Sequence, residues 1–211
     1  MLHFSKWLFP SLLCLVCSVT SAGPQREEHL ADSVRIAMSS AVADLPPPTP
    51  YLPTEQDQAT YQQWLSHTQV QLERKLQGKK GQSRLPELSS PELQQAFLKT
   101  VWYESRRAGL EPALVMGLIE VESGFRKFAI SSAGARGVMQ VMPFWTRQLG
   151  ISDESALFHW QANMRFGCVI LRHYLSVEQG NMHMALGRYN GSRGQLTYPK
   201  AVLAAQRRWQ P

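Results

Sequence analysis

One stretch organises the chain: GLIEVESGFRKFAISSAGARGVMQVMPFW, residues 117–145. It begins inside a helix that opens at Pro112 and is apolar on nearly all sides, as is typical of a central, buried helix. The middle of the stretch is a loop rich in Ser, Gly and Ala, and residues 138–142 predict the start of a second apolar helix. The pattern therefore predicts a carboxylate at the end of a buried helix, facing a small-residue loop.

Two glutamates, Glu120 and Glu122, stand near the end of that helix. Residues two apart on a helix point about 200° away from each other, so only one of them can face a cleft. The negative end of the helix dipole and apolar neighbours such as Phe125 and Met142 would raise the pKa of such a carboxyl. A protonated acid near neutral pH suits cleavage of a glycosidic bond. By position alone, however, a helix-end glutamate is more often a solvated surface residue.

A chain of 211 residues is long enough for one domain with its own hydrophobic core and for additional segments. Residues 1–22 have the pattern of a secretory signal peptide, with Lys6 before a short apolar run and small residues at the end. An uncleaved anchor is the alternative for this segment. After cleavage we expect an exported, periplasmic protein with no stable membrane span.

The rest of the chain divides into three predicted parts. Residues 23–53 are expected to be a Pro-rich linker, because they contain the run LPPPTP. Residues 54–83 predict an accessory amphipathic helix, capped by Thr54 and ended by glycines. Residues 84–211 show helical periodicity without convincing strand alternation, and they predict a compact all-α domain.

The net charge and the reactive residues limit the function further. The formal net charge of +6 favours an anionic partner, which for an exported protein means cell-wall polymer or membrane surface. Lys and Arg are scattered, so nucleic acid is not expected. The chain contains no zinc-protease or serine-hydrolase motif, and neither a metal nor an organic cofactor is predicted. Cys168 is expected to be a buried structural thiol.

Three motifs, in this order along the chain, resemble those of a known family. They are residues 122–125 with the loop 131–135 and the segment 137–143, then Asn163 and Gly167 ahead of residues 174–175, and finally residues 185–191. Together these motifs resemble the soluble lytic transglycosylase (SLT) family over residues 92–209.

The resemblance implies a lysozyme-like α-helical domain whose partners are peptidoglycan glycan strands. It would cleave the β-1,4 bond between N-acetylmuramic acid and N-acetylglucosamine, with Glu122 as the single acid/base and a 1,6-anhydro ring in the product. Glycosidases with two carboxylates need a second acid across the bond. After Glu122 the chain offers only Asp153 and Glu154, in a polar turn, and Glu178, near a helix end.

The resemblance also implies roles for five further residues. Ser131 and Gln140 would hydrogen-bond to sugar, and Met142 would lie under a sugar ring. The hydroxyl of Tyr189 would lie close to the acid. Asn190 completes the predicted substrate-binding set, although an Asn-Gly pair also favours a turn.

Some positions depart from the family pattern, and two other functions stay open. Lys127 stands where the family usually has proline, whereas Arg136 and Trp145 are bulkier than usual; Trp145 is either a sugar platform or core.

One alternative function is that of a goose-type lysozyme, which hydrolyses the bond. The other is a cell-wall-binding assembly factor of a secretion or conjugation system, for which the helix over residues 54–78 would be a docking element.

Overall fold

The computed structural model describes residues 25, 27–43, 49–77, 85–151 and 153–211. The predicted signal peptide, most of the polyproline run and the glycines expected to end the accessory helix lie outside these ranges. Within them the structure contains α-helices, two short 3-10 helices and no strand, which confirms the all-α prediction. Of the helices described there, none is both long enough and apolar enough to cross a membrane.

The helices follow one another in the order in which they are named. They are α1 (Asp32–Ala43), α2 (Glu55–Leu76), α3 (Pro91–Arg107), α4 (Pro112–Glu122), α5 (Phe144–Gln148), α6 (Trp160–Val177), α7 (Met182–Asn190) and α8 (Thr197–Arg208). The 3-10 helices are Pro86–Leu88 and Glu154–Phe158.

Local sequence signals explain where the N-terminal helices begin. Thr54 and Asp57 form a reciprocal capping box at the start of α2, in which each side chain accepts a hydrogen bond from the other residue's backbone N–H. Ser90 caps α3 by accepting from the backbone N–H of Leu93, and Pro91 occupies the first helical position.

The central helix is α4, whose residues from Pro112 to Ile119 are all buried. It packs most extensively on α8. A Cβ placed on Gly117 would lie 2.6 Å from the backbone nitrogen of Gln206 and 3.0 Å from the carbonyl oxygen of Val202. Glycine at this position therefore allows the two backbones to touch.

Two interactions attach other helices to this core. On α2, the rings of Tyr61 and Trp64 each lie 5.1 Å from the ring of Trp102 on α3, measured between centroids. Between α3 and α6, Glu104 and Arg165 form a fully buried bidentate ion pair with N···O distances of 2.8 and 2.6 Å.

Two predictions need correction. The range 23–53, predicted as a linker, contains α1, whose residues Met38 and Val42 are buried against α6. The four-residue spacing of these side chains supplies a short apolar stripe. Residues 138–142 are not helical, because Gln140 has a φ of 50° and Arg136 forms an isolated antiparallel bridge with Val141.

The backbone contact at Gly117 leads to the first prediction. Replacing glycine with alanine inside a helix ordinarily stabilises it by about 1 kcal/mol. Here the added methyl group would meet the backbone of α8, and such overpacking costs about 1–3 kcal/mol. We expect Gly117→Ala to lower the free energy of unfolding by about that amount in urea denaturation. Lys200→Ala, on the exposed face of α8, is the control; an equal or smaller loss for Gly117→Ala would contradict this packing.

Candidate active site

Glu122 is the last residue of α4, and its side chain meets the first turn of α8. The hydroxyl of Tyr198 donates a hydrogen bond to Oε1 of Glu122. Tyr198 is buried, with only 8% of its surface exposed, whereas Glu122 is partly buried. The close packing of α4 on α8 therefore places one carboxyl and one phenol in direct contact at the edge of the core.

Burial controls the protonation of this pair. It raises the pKa of Glu122 from 4.5 to about 8, while the hydrogen bond from Tyr198 acts in the opposite direction. The pKa of Tyr198 is raised well above 10, first by burial and then by the charge of Glu122. Glu122 is thus mostly protonated at neutral pH and can donate a proton.

Glu120 is in the opposite situation. It accepts hydrogen bonds from Lys75 on α2 at 2.6 Å, from Arg208 on α8 at 2.6 Å and from the indole N–H of Trp209 at 2.8 Å. Burial raises its pKa, but these donors outweigh that effect and hold the pKa below the usual value. Glu120 is a charged residue that joins three segments of the fold, and it does not belong to the site.

The loop after α4 is fixed by hydrogen bonds to its backbone. The hydroxyl of Ser123 donates to the carbonyl oxygen of Val138 at 2.7 Å. On α6, the amide of Asn163 accepts from the backbone N–H of Met139 at 2.7 Å and donates to the carbonyl oxygen of Arg136 at 2.8 Å. A Cβ on Gly137, which has a φ of 75°, would collide with that amide. The loop is therefore held against both α4 and α6.

Three of the predicted sugar-binding residues lie on this loop. The hydroxyl of Ser131 accepts a hydrogen bond from the backbone N–H of Ala135, and the residue is partly exposed. Gln140 is 3% exposed, and its amide donates to the carbonyl oxygens of Gly137 at 2.9 Å and Ala129 at 3.2 Å. Met142 is partly buried. Their contact with sugar stays a prediction.

Two tyrosines lie near Glu122, the predicted Tyr189 and also Tyr198. Tyr189 is fully buried, and its hydroxyl donates to the carbonyl oxygen of Met139 at 2.7 Å. Burial, together with the charge of Glu122, raises its pKa well above 10, so Glu122 is near it. The hydrogen bond to Glu122 comes instead from Tyr198. The only sequence signal for Tyr198 is its place in an apolar stripe with Val202, which predicts burial but no partner.

Asn190 ends α7 and is 5% exposed. Its side-chain oxygen accepts from the hydroxyl of Ser192 at 2.8 Å, and its buried nitrogen has no hydrogen-bond partner. Gly191 follows with a φ of 82°, as expected of an Asn-Gly turn. The turn is therefore present, and a contact of Asn190 with substrate stays a prediction.

The model of one protein family, the transglycosylase SLT domain, matches residues 100–208. This range includes α4, the loop after it, Tyr189 and Tyr198. The chain belongs to the transglycosylase SLT domain family. The family resemblance predicted from the three motifs is thereby confirmed.

Relatives of this SLT domain include longer proteins. A membrane-bound lytic murein transglycosylase C of Haemophilus ducreyi is 45% identical over 99 residues, which cover 44% of this chain and 24% of that protein. One from Actinobacillus pleuropneumoniae serotype 5b is 47% identical over 47 residues, or 22% of this chain and 13% of that protein. A transglycosylase of Enterobacteria phage PRD1 is 30% identical over 100 residues, which cover 47% of this chain and 36% of that protein. The chain thus matches well under half of each relative's length.

Within this SLT domain the other carboxylates that follow Glu122 already have structural partners. Glu154 pairs with Arg136 and Arg147 at 3.1 and 2.9 Å. Glu178 pairs with Arg188 and Arg193. Asp153 accepts hydrogen bonds from Ser155 at the start of a 3-10 helix. None of these contacts is with Glu122.

Two further side chains that could have carried chemistry are buried. Trp145 is 1% exposed, and its indole N–H donates to Gln25 at 3.0 Å, so it is part of the core and not a sugar platform. Cys168 is 1% exposed, and burial raises the pKa of its thiol. Across the described ranges, His, Cys, Asp and Glu form no group of three or more that could hold a metal ion.

The raised pKa of Glu122 predicts a pH-dependent stability. Between pH 4.5 and about 8 the unfolded chain loses this proton while the folded protein keeps it. The contribution of Glu122 is thus complete below pH 4.5 and is lost as the pH rises through about 8. We expect Glu122→Gln, which cannot ionise, to become progressively more stable than the wild type from pH 5 to pH 8.5. Urea denaturation measures this difference, with Glu55→Gln on the exposed start of α2 as control; a difference that is constant with pH would refute the prediction.

Proposed function

We propose that this protein is a peptidoglycan lytic transglycosylase with Glu122 as its single acid/base. The proposal depends on one observation: a partly buried carboxyl with a pKa of about 8, hydrogen-bonded to a tyrosine. The substrate would be the β-1,4 bond between N-acetylmuramic acid and N-acetylglucosamine. Family membership and the names of the relatives support this reaction class.

The proposed reaction uses the same carboxyl twice. Protonated Glu122 donates its proton to the glycosidic oxygen, and the bond from this oxygen to C1 of the muramic acid breaks. The 6-hydroxyl of the same sugar then attacks C1 and gives its proton to the Glu122 carboxylate. The product is a 1,6-anhydro ring, the proton balance is closed, and no water is consumed. Because the nucleophile belongs to the substrate, the enzyme needs no second carboxylate.

Tyr198 would position the acid. Its hydroxyl donates to Oε1 of Glu122, which leaves Oε2 to carry the proton and to face the glycosidic oxygen. The same hydrogen bond stabilises the carboxylate that forms after proton transfer, and it keeps the pKa from rising further. This positioning holds Glu122 in one rotamer, as general acid catalysis requires.

The substrate groove would be built from the loop after α4. Ser131 and Met142 are partly exposed and would contact sugar directly. Gln140 and Tyr189 are nearly or fully buried and already bonded within the protein, and we propose that they shape the groove from behind. Asn190 would contribute its unpartnered amide N–H.

The setting of this reaction would be the cell envelope. The N-terminal pattern supports export to the periplasm, and the positive net charge of +6 suits a polyanionic wall. The division into a signal peptide, a linker with α1, an accessory helix over 54–83 and a catalytic domain from residue 84 remains part of the proposal.

Glu122→Gln tests the catalytic assignment. We expect it to reduce release of soluble fragments from purified sacculi by about 10²–10⁴-fold, because general acid catalysis contributes that much. Mass spectrometry of the wild-type products should show 1,6-anhydromuramic acid ends. Glu120→Gln is the matched control, and we expect it to lower stability while cleavage continues. Wild-type activity in Glu122→Gln would contradict the proposal. Products that have reducing ends without the anhydro form would also contradict it.

The pH dependence tests the role of Tyr198. Since the acid must be protonated, kcat/KM should fall as the pH rises through about 8. Tyr198→Phe removes the hydrogen bond that lowers the pKa of Glu122, so this decline should move to higher pH while kcat drops. Tyr103→Phe, a partly buried tyrosine on α3, should leave the profile unchanged. A decline that stays in place in Tyr198→Phe would show that the hydroxyl does not act on Glu122.

A further inference from the structure

The loop after α4 exposes a surface that the proposed chemistry does not use. Phe128 and Ile130 are 59% and 65% exposed. We name the surface the aromatic strip; its residues are Lys127, Phe128, Ile130, Arg136, Phe158 and Trp160. Large apolar side chains grouped at a protein surface typically mark an interaction site.

Cations lie on the rings of the strip. The ammonium of Lys127 lies 5.0 Å from the ring centroid of Phe128 and 5.9 Å from that of Trp160. The guanidinium of Arg136 lies 5.9 Å from the ring of Phe158, and the two phenylalanine rings are 5.9 Å apart. These contacts are within the range of cation–π attraction. They hold the positive charges in fixed positions along the strip.

The strip has an excess of positive charge. Arg136 is paired with Glu154 at 3.1 Å. In the part of the chain that the structure describes, no ion pair includes Lys127 or its exposed neighbour Arg126. Among the described residues, the guanidinium of Arg126 donates to one acceptor, the carbonyl oxygen of Ser123, at 2.8 Å. Two cations are therefore available to an anionic ligand.

The strip is continuous with the wall of the proposed groove. Ile130 precedes Ser131 in the chain and forms an isolated bridge with Arg136, which in turn bridges to Val141. Gln140 donates to the carbonyl oxygen of Ala129, in the same turn of the loop. The strip therefore adjoins the loop residues that would contact sugar.

We propose that the aromatic strip binds the peptides attached to the glycan strand. The inference rests on the proposed function. In peptide-bearing strands the lactyl carboxyl of the N-acetylmuramic acid is consumed in the amide bond to the peptide, so the sugars carry no charge and the unpaired cations have no partner among them. The stem peptides carry free carboxylates for Lys127 and Arg126, and alanine methyl groups for Phe128 and Ile130. Because cations already cover ring faces of the strip, anionic peptide suits it better than stacked sugar.

Binding to two forms of one substrate tests the proposal. The full chain with Glu122→Gln would be titrated with solubilised glycan strands that carry their peptides, and with the same strands after an amidase has removed the peptides and left a free lactyl carboxylate on each muramic acid. We expect tighter binding to the peptide-bearing strands. Adding Lys127→Ala should weaken that binding by roughly tenfold, the loss of one charge-assisted contact, and leave binding to the bare strands unchanged. Phe128→Ala should act in the same direction, whereas Lys99→Ala, an exposed lysine on α3, should change neither.

Each of the other outcomes would overturn the proposal and would indicate a different role for the strip. Equal losses on both kinds of strand would make the strip part of the sugar groove. No loss in Lys127→Ala or Phe128→Ala would remove the strip from substrate binding. Binding of the full chain to phosphatidylglycerol vesicles that Phe128→Ala abolishes, with the preference for peptide-bearing strands intact, would make the strip a lipid contact. Failure to bind either strand would overturn the proposed function together with the inference.

Discussion

The site depends on the backbone contact between α4 and α8 at Gly117. A side chain at this position would push α8 away from α4, and Tyr198 would lose its reach to Glu122. The same contact brings Arg208 and Trp209 onto Glu120, so one helix pairing places two glutamates in opposite environments. Glu120 is surrounded by donors and stays charged, whereas Glu122 meets one neutral hydroxyl and keeps its proton. Backbone packing here determines side-chain protonation.

A protonated carboxyl has consequences for stability as well as chemistry. Burial disfavours the charged form, so the fold favours neutral Glu122 and tolerates its ionisation less as the pH rises. The rigid loop around the site completes this environment, since Ser123 and Asn163 fix its backbone from α4 and α6. Burial of Glu122 thus has two effects. It lowers the stability of the fold at high pH, and it keeps the acid protonated at neutral pH.

The sequence predicts some of this well. Helical periodicity and the cap at Thr54 predict the all-α fold. The 200° separation on a helix predicts that only one of Glu120 and Glu122 faces the cleft, and the family resemblance selects Glu122. The prediction of a helix at the bent loop around Gln140 is wrong, because the backbone of this apolar run is held by a hydrogen bond from the N–H of Met139 to the side-chain oxygen of Asn163, 24 residues away. Tyr198 was missed because its partner is 76 residues distant, and a stripe reveals which face is buried but not what it meets. Helix α1 was missed because its apolar stripe is only a few residues long.

The most direct test of this account is the ionisation of Glu122 itself. Carbon-13 NMR of the labelled side-chain carboxyl, followed across pH 3–10 in the wild-type protein, reports its pKa without any substrate. We expect a midpoint near pH 8, and a further upward shift in Tyr198→Phe. A midpoint near 4.5 would mean that the carboxyl is solvated and charged at neutral pH. That result would contradict both its burial against α8 and its role as the proton donor.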